Sequence, residues 1–344
     1  MSRKQGPPSL TPEAILERGN EYLDAGEIEE AKRCFEEAIG LSPDFADAYV
    51  NLALIYFDHR EFVAAKVLFE RALDLIDRRD RAEGRRGEED AKPAGRRARR
   101  RRGEEAPVSP AAPPTAAPAA LAIPKANPAT ENLVLRALHG IGLCGYWLGN
   151  YSEALAVYHE MLGRDPSDSM GVRYLVGELY HRLGQLHKAL ASYAANPDDP
   201  HVAYNHALAL HSMGRTREAT EQILRAFFVN LYIAAFLLND NRPWIRSAKQ
   251  WHVSSVQWPD LAVQYIELCA DLWQETPGAT AFLNQVWRDG ETQRAVENFI
   301  LTATRLAQEP DFRRRSELQQ RIADMQSDEI VSELAANINR RFVS

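Results

Sequence analysis

The sequence predicts an all-α protein, an α-solenoid of stacked helical hairpins, and three observations carry that expectation. Small residues recur in couples twelve positions apart: Gly19 with Ala31, Ala53 with Ala65, Gly142 with Ala154, Gly177 with Ala189, and Ala207 with Ala219. Gly26, Gly149, Gly184 and Gly214 punctuate four of those intervals, and Arg60 holds the place in the fifth. Apolar residues on either side fall at i, i+3, i+4 and i+7, the spacing of one helix face.

Each couple reads as two helices joined by a tight reversal. GEIEEAKRCFEEAI (26–39) and GNYSEALAVYHEML (149–162) repeat one pattern, with Gly first, Glu fifth, Ala sixth and an aromatic tenth. The glycine stands where the first helix must end and the chain reverse. The small residues are expected to face one another, where only Gly or Ala allows close approach. An aromatic four residues after the second alanine (Phe35, Phe69, Tyr158, Tyr193) is expected to fill the space beside them; the last hairpin uses Ile223.

Successive second alanines lie 34 residues apart from Ala31 to Ala65, 35 from Ala154 to Ala189 and 30 from Ala189 to Ala219. Periods of this size signal a solenoid. The residues resemble the tetratricopeptide repeat (TPR) family. Repeat one matches at Gly19, Tyr22, Ala31, Phe35, Ala38 and Pro43. Repeat two matches at Tyr49, Leu52, Ala53, Tyr56, Ala65, Phe69 and Ala72, and repeat three at Gly142, Gly149, Tyr151, Ala154, Tyr158 and Pro166. The resemblance implies a right-handed superhelix whose first helices line a concave groove.

The expected organisation is a disordered N-terminus (1–11), repeats one and two (12–80), an insert (81–130), repeats three to five (131–231) and a C-terminal helical extension and cap (232–344). RRARRRR (96–102) places six arginines in seven residues, and Ala106–Thr130 holds 10 Ala and 7 Pro in 25. Proline at that density opposes helix and favours extended chain, so the insert is expected to be disordered. Closing a long loop costs only about 0.6 kcal/mol per doubling of length. Repeat two is therefore expected to stack directly on repeat three. After the repeats, AFFVNLYIAAFLL (226–238) reads as a buried helix, too short at 13 residues for a membrane span. DLAVQYIELCADLW and TAFLNQVW read as a hairpin about Pro277-Gly278, and three more helices follow, with Asp311 and Ser327 as N-caps. The 226–238 run, with Trp273, the PGA triplet and Trp287, resembles a segment of certain bacterial TPR proteins and of the vertebrate suppression-of-tumorigenicity TPR family.

In the TPR family the first helix of each hairpin presents its second, fifth, sixth, ninth, twelfth and thirteenth positions to the groove. The resemblance thus implies a peptide-binding wall of Asn20, Asn51, Arg136, His139, Tyr146, Trp147, Tyr174, Glu178, His181, Arg182, His201, Tyr204, Asn205 and His211. The amides of Asn51 and Asn205 suit a peptide backbone, since each offers a donor and an acceptor. A carboxylate-clamp chaperone adaptor would use Asn20, Asn51 and Arg136, but Leu16 and Gly140 stand where that clamp wants cations.

The net charge of −7 is uneven: 12 Lys/Arg face 7 Asp/Glu between Arg78 and Glu105, leaving −12 on the rest. Arg96, Arg97, Arg99, Arg100, Arg101 and Arg102 therefore offer an alternative function, polyanion binding. Three scattered cysteines make neither a disulfide framework nor a zinc site. No phosphate-binding glycine loop, G-x-S-x-G or H-E-x-x-H occurs. The expectation is a non-catalytic, cytoplasmic interaction scaffold, with no cofactor and no metal, that binds a protein or peptide segment in its groove.

Overall fold

The computed structural model describes residues 11–90, 128–242 and 258–343. Sixteen helices and no strand occur among them. They divide into two compact units, residues 1–172 and 173–344.

The first unit holds three hairpins: α1 (Pro12–Asp24) with α2 (Ile28–Leu41), α3 (Ala46–Asp58) with α4 (Phe62–Asp90), and α5 (Pro128–Trp147) with α6 (Tyr151–Arg164). α1 starts where Thr11 caps it, its hydroxyl accepting from the Ala14 amide, with proline in the first turn. The reversals share one closure. The Glu27 amide donates to the Tyr22 carbonyl across Gly26 (2.8 Å), and the Asn150 amide to the Gly145 carbonyl across Gly149 (2.8 Å). Both glycines are left-handed, with φ of 78° and 75°. Arg60 makes the same turn at φ 61°, with Glu61 donating to Tyr56, although it carries a side chain.

Within a hairpin the first-helix glycine has an aromatic ring, not the paired alanine, as its nearest neighbour. A Cβ on Gly19 would lie 2.5 Å from the Phe35 ring, and one on Gly142 would lie 2.3 Å from the Tyr158 ring. The alanine meets a different glycine, Ala154 lying 3.4 Å from a Cβ built on Gly145. In repeat two Ala53 replaces the glycine, and Phe69 covers Gly140 of the next repeat, 2.3 Å from its would-be Cβ.

Repeat two stacks on repeat three across the insert, as expected. Lys66 donates to both carboxylate oxygens of Glu153 (2.7 Å each), and Phe62 stacks on Trp147 at 5.7 Å. α4 runs ten residues beyond the expected end at 80. Ion pairs at i, i+4, Asp74–Arg78 and Asp77–Arg81, favour that continuation. Residues 91–127, which carry the arginine tract and the Pro/Ala stretch, lie outside the described residues.

The second unit opens with hairpins α7 (Arg173–Arg182) with α8 (Leu186–Tyr193) and α9 (Pro200–Ser212) with α10 (Thr216–Val229). Both close like the others, about Gly184 and Gly214. The expected single helix over 226–238 is two, because Asn230 breaks it. Asn230 ends α10 in extended conformation and caps α11 (Leu231–Leu237), its side-chain oxygen accepting from the Tyr232 amide (3.0 Å). The break is held from below by Tyr204, which donates to the Asn230 carbonyl (2.7 Å).

Five more helices follow: α12 (Pro259–Glu275), α13 (Ala279–Arg288), α14 (Gly290–Gln308), α15 (Phe312–Met325) and α16 (Asp328–Val343). Gly278, at φ 75°, turns the chain between α12 and α13, but α12 packs chiefly on α11 rather than on α13. Asp311 and Ser327 cap α15 and α16, accepting from the amides of Arg314 and Ile330. α16 covers α10, with Arg225 paired to Asp328, Ser332 donating to Glu221 (2.7 Å) and Thr220 bonded to Asn339 (2.9 Å). Trp273, Trp287, Tyr204, Tyr232, Phe227 and Phe299 fill the core beneath.

The Arg60 turn yields a direct comparison. Arg60→Gly and Arg60→Ala both lose the guanidinium over the Trp147 ring (5.9 Å), but only glycine relieves the left-handed backbone. The glycine variant should be more stable than the alanine variant by about 1 kcal/mol in denaturant melts. Equal stabilities would contradict the turn geometry.

Candidate functional site: the first-helix wall

In the first unit, Asn51 of α3 donates its side-chain amide to the Asn20 oxygen of α1 (2.8 Å) and accepts from the Arg136 guanidinium of α5 (2.8 Å). Three successive first helices are thus joined by one ladder of polar side chains. Asn51 is buried, Asn20 is exposed and Arg136 is half-buried. One N–H and one lone pair of the Asn51 amide remain beyond this ladder. Leu54, one turn along α3, is 38 % exposed and adds an apolar surface that the sequence reading did not single out. His139, half-buried on α5, is held below the ordinary histidine pKa by burial, which the Asp168 charge partly offsets.

Tyr146 does not face a groove. It is buried, packed edge-on against Trp147 (5.6 Å) and Tyr151 (6.0 Å) at the end of α5. A lysine or arginine at position 140 has no room, because Phe69 lies on Gly140. The carboxylate-clamp arrangement therefore lacks a cation for a steric reason.

In the second unit the corresponding wall is already covered by α12. Arg182 donates Nε to Glu178 (2.8 Å), Nη2 to the Leu268 carbonyl (2.7 Å) and both terminal nitrogens to Asp271 (2.8 and 3.0 Å). Glu178 accepts from the Cys269 thiol (3.4 Å), and the Asn205 amide reaches the Cys269 sulfur at 3.6 Å. Tyr265 donates to the Asn205 oxygen (2.8 Å) and accepts from Trp273 Nε1 (2.6 Å). His201 lies between the rings of Tyr174 (6.1 Å) and Tyr265 (5.4 Å). His211 is bonded to the Pro277 carbonyl (3.2 Å) and stacked on Phe282 (4.8 Å).

The residues expected to line this wall are consequently in place but closed off. Glu178, His181, Asn205 and the Arg182 side chain are buried, Tyr204 is core, and only Tyr174 remains substantially exposed. The physical reason is legible in α12: Ala262, Tyr265, Cys269, Leu272 and Trp273 form one apolar stripe that needs a wall to cover it. The sequence shows that stripe but not which surface receives it. Asp271 is held ionised: burial works against its charge, and the hydrogen bonds from Arg182 overcome it. Burial pushes the Cys269 thiol far up and Cys144 up to about 12, so neither is a thiolate nucleophile at neutral pH. Among the described residues no cluster of His, Cys, Asp or Glu could hold a metal ion.

A family model described as TPR repeat matches residues 19–59, and models described as tetratricopeptide repeat match residues 45–76 and 146–200. Taken with the hairpins, these matches define the class: the chain carries tetratricopeptide repeats, and its described residues form helices and no strand. No curated protein matches the chain. Tetratricopeptide repeats generally mediate protein–protein interactions, and the family is typically non-catalytic. No described helix is long and apolar enough to cross a membrane. The six arginines of the 96–102 tract lie outside the described residues.

His181 gives this unit an acid-sensitive point. Burial, assisted by the Arg182 charge, lowers its pKa from 6.5 to about 4. The unfolded chain then binds one more proton than the folded chain between those values, so stability falls as pH drops from 6.5 towards 4. The loss amounts to roughly 3 kcal/mol. Thermal melts at pH 7 and pH 4.5 should show a smaller drop for His181→Gln than for the unaltered chain; parallel drops would contradict the assignment.

Proposed function

We propose that this chain is a non-catalytic interaction scaffold that holds a segment of a partner protein against the first-helix wall of repeats one to three. The observation that carries the reading is the Asn20–Asn51–Arg136 ladder, in which amide and guanidinium groups bond from one first helix to the next across three repeats. Such groups bond to peptide carbonyls and carboxylates. Leu54 beside the ladder offers a contact for an apolar anchor. The wall of repeats four and five contributes no binding surface in this reading, since α12 satisfies its polar groups.

Affinity capture from native extract tests the assignment with three forms of the full chain: unaltered, Asn51→Ala/Arg136→Ala, and one lacking residues 96–102. The ladder variant should lose a set of partners that the deletion keeps. The deletion should lose only partners whose retention depends steeply on salt, the signature of polyanion binding. If both variants keep every partner, the binding surface lies elsewhere.

A further inference from the structure

The end of the second unit carries a surface that neither repeat stacking nor the docking of α12 explains. The last turn of α14 and one face of α15 enclose a cleft of about 410 Å³. Arg305 enters it from α14; Arg314, Leu318 and Arg321, spaced four and three apart, enter it from α15. Five arginines face three carboxylates between positions 305 and 321 of a chain whose net charge is −7. Arg315 is engaged, donating to the carbonyls of Leu306 (2.9 Å) and Glu309 (3.1 Å), and so ties α15 to the end of α14. Arg305, Arg314 and Arg321 form no ion pair among the described residues, although Glu309 and Glu317 line the same cleft.

α15 itself is under-packed for its length. One of its fourteen residues, Ile322, is buried, and Phe312 at its start is 85 % exposed. A polar outer face suits a helix that closes a repeat array. That role accounts for hydrophilicity but not for three guanidinium groups converging unpaired on one cleft.

We propose that the α14–α15 cleft docks an acidic peptide segment. Its carboxylates would accept from Arg305, Arg314 and Arg321, and an apolar side chain would lie against Leu318. Guanidinium groups match carboxylates in bidentate geometry. Glu309 and Glu317 favour a peptide over other polyanions, because they accept backbone N–H groups, donors that a phosphodiester backbone lacks. This site is separate from the first-helix wall and stands or falls independently of it.

The test uses the full chain with the arginines of 96–102 changed to glutamine, so that the tract does not contribute. The probes are a labelled twelve-residue peptide of alternating Glu and Leu and its Gln/Leu counterpart, read by fluorescence anisotropy. The acidic peptide should bind saturably and the neutral one should not. Arg314→Glu/Arg321→Glu should weaken binding by about tenfold or more. Arg314→Gln/Arg321→Gln should also weaken it, with an unchanged melting temperature that separates lost binding from lost folding. Equal binding of the two peptides would overturn the proposal, as would undiminished affinity in the charge-reversed chain. Preferential binding of anionic lipid vesicles or single-stranded RNA, lost in the same variant, would overturn it too.

Discussion

The contact on which the rest of the structure depends is an aromatic ring laid on a glycine inside a helical hairpin. Phe35 on Gly19, Tyr158 on Gly142 and Tyr193 on Gly177 repeat it three times, each ring where a Cβ would be 2.3–2.5 Å away. Glycine weakens a helix interior by about 1 kcal/mol relative to alanine. Burial of a whole ring at the seam outweighs that cost, since a fully buried large apolar side chain is worth roughly 1.5–3 kcal/mol. The ring fixes how closely the two helices approach, and that approach fixes the angle at which the next hairpin can stack. Repeat two shows the rule by exception. Repeat two carries alanine in the glycine's place, and its ring Phe69 lies on Gly140 of the next repeat, which joins repeat two to repeat three.

What the hairpins position within each unit is a wall of first helices, and the two units treat their walls differently. Across repeats one to three, polar groups of successive first helices bond to one another, with Asn20 exposed and Arg136 half-buried on either side of the buried Asn51. Across repeats four and five, the groups bond to α12 instead, through a run from Trp273 by Tyr265, Asn205, Cys269 and Glu178 to Arg182 and Asp271. Removing α12 would take Asp271 and the Leu268 carbonyl from Arg182 and the Cys269 thiol from Glu178, a costly loss for charged groups in a buried setting. The same chemistry that could grip a partner thus serves, in the second unit, as interior.

Most of the fold was legible in the sequence because hairpin geometry is written in short-range spacing. The small-residue couples, the turn glycines and the caps at Asp311 and Ser327 all act within a few residues of themselves. Arg60 was readable as a turn from its register alone, and it adopts the left-handed backbone of the glycines it replaces. The misreadings came from longer range. Asn230 breaks an apolar run because Tyr204, 26 residues upstream, holds its carbonyl. Glu178, Asn205 and Tyr204 have groove register but not groove exposure, because their partners come from residues sixty or more positions on or from the core. Periodicity tells which face of α12 is buried and is silent on which wall receives it.

The most direct measurement is a double-mutant cycle on Gly142 and Tyr158, followed by equilibrium unfolding. Helix propensity alone makes Gly142→Ala stabilising by about 0.8–1 kcal/mol. With the ring lying on the glycine, the added methyl overpacks a closed seam and should destabilise by about 1–3 kcal/mol. Trimming the ring by Tyr158→Leu should then remove most of that penalty. A stabilised Gly142→Ala, or a penalty unaffected by Tyr158→Leu, would contradict the account.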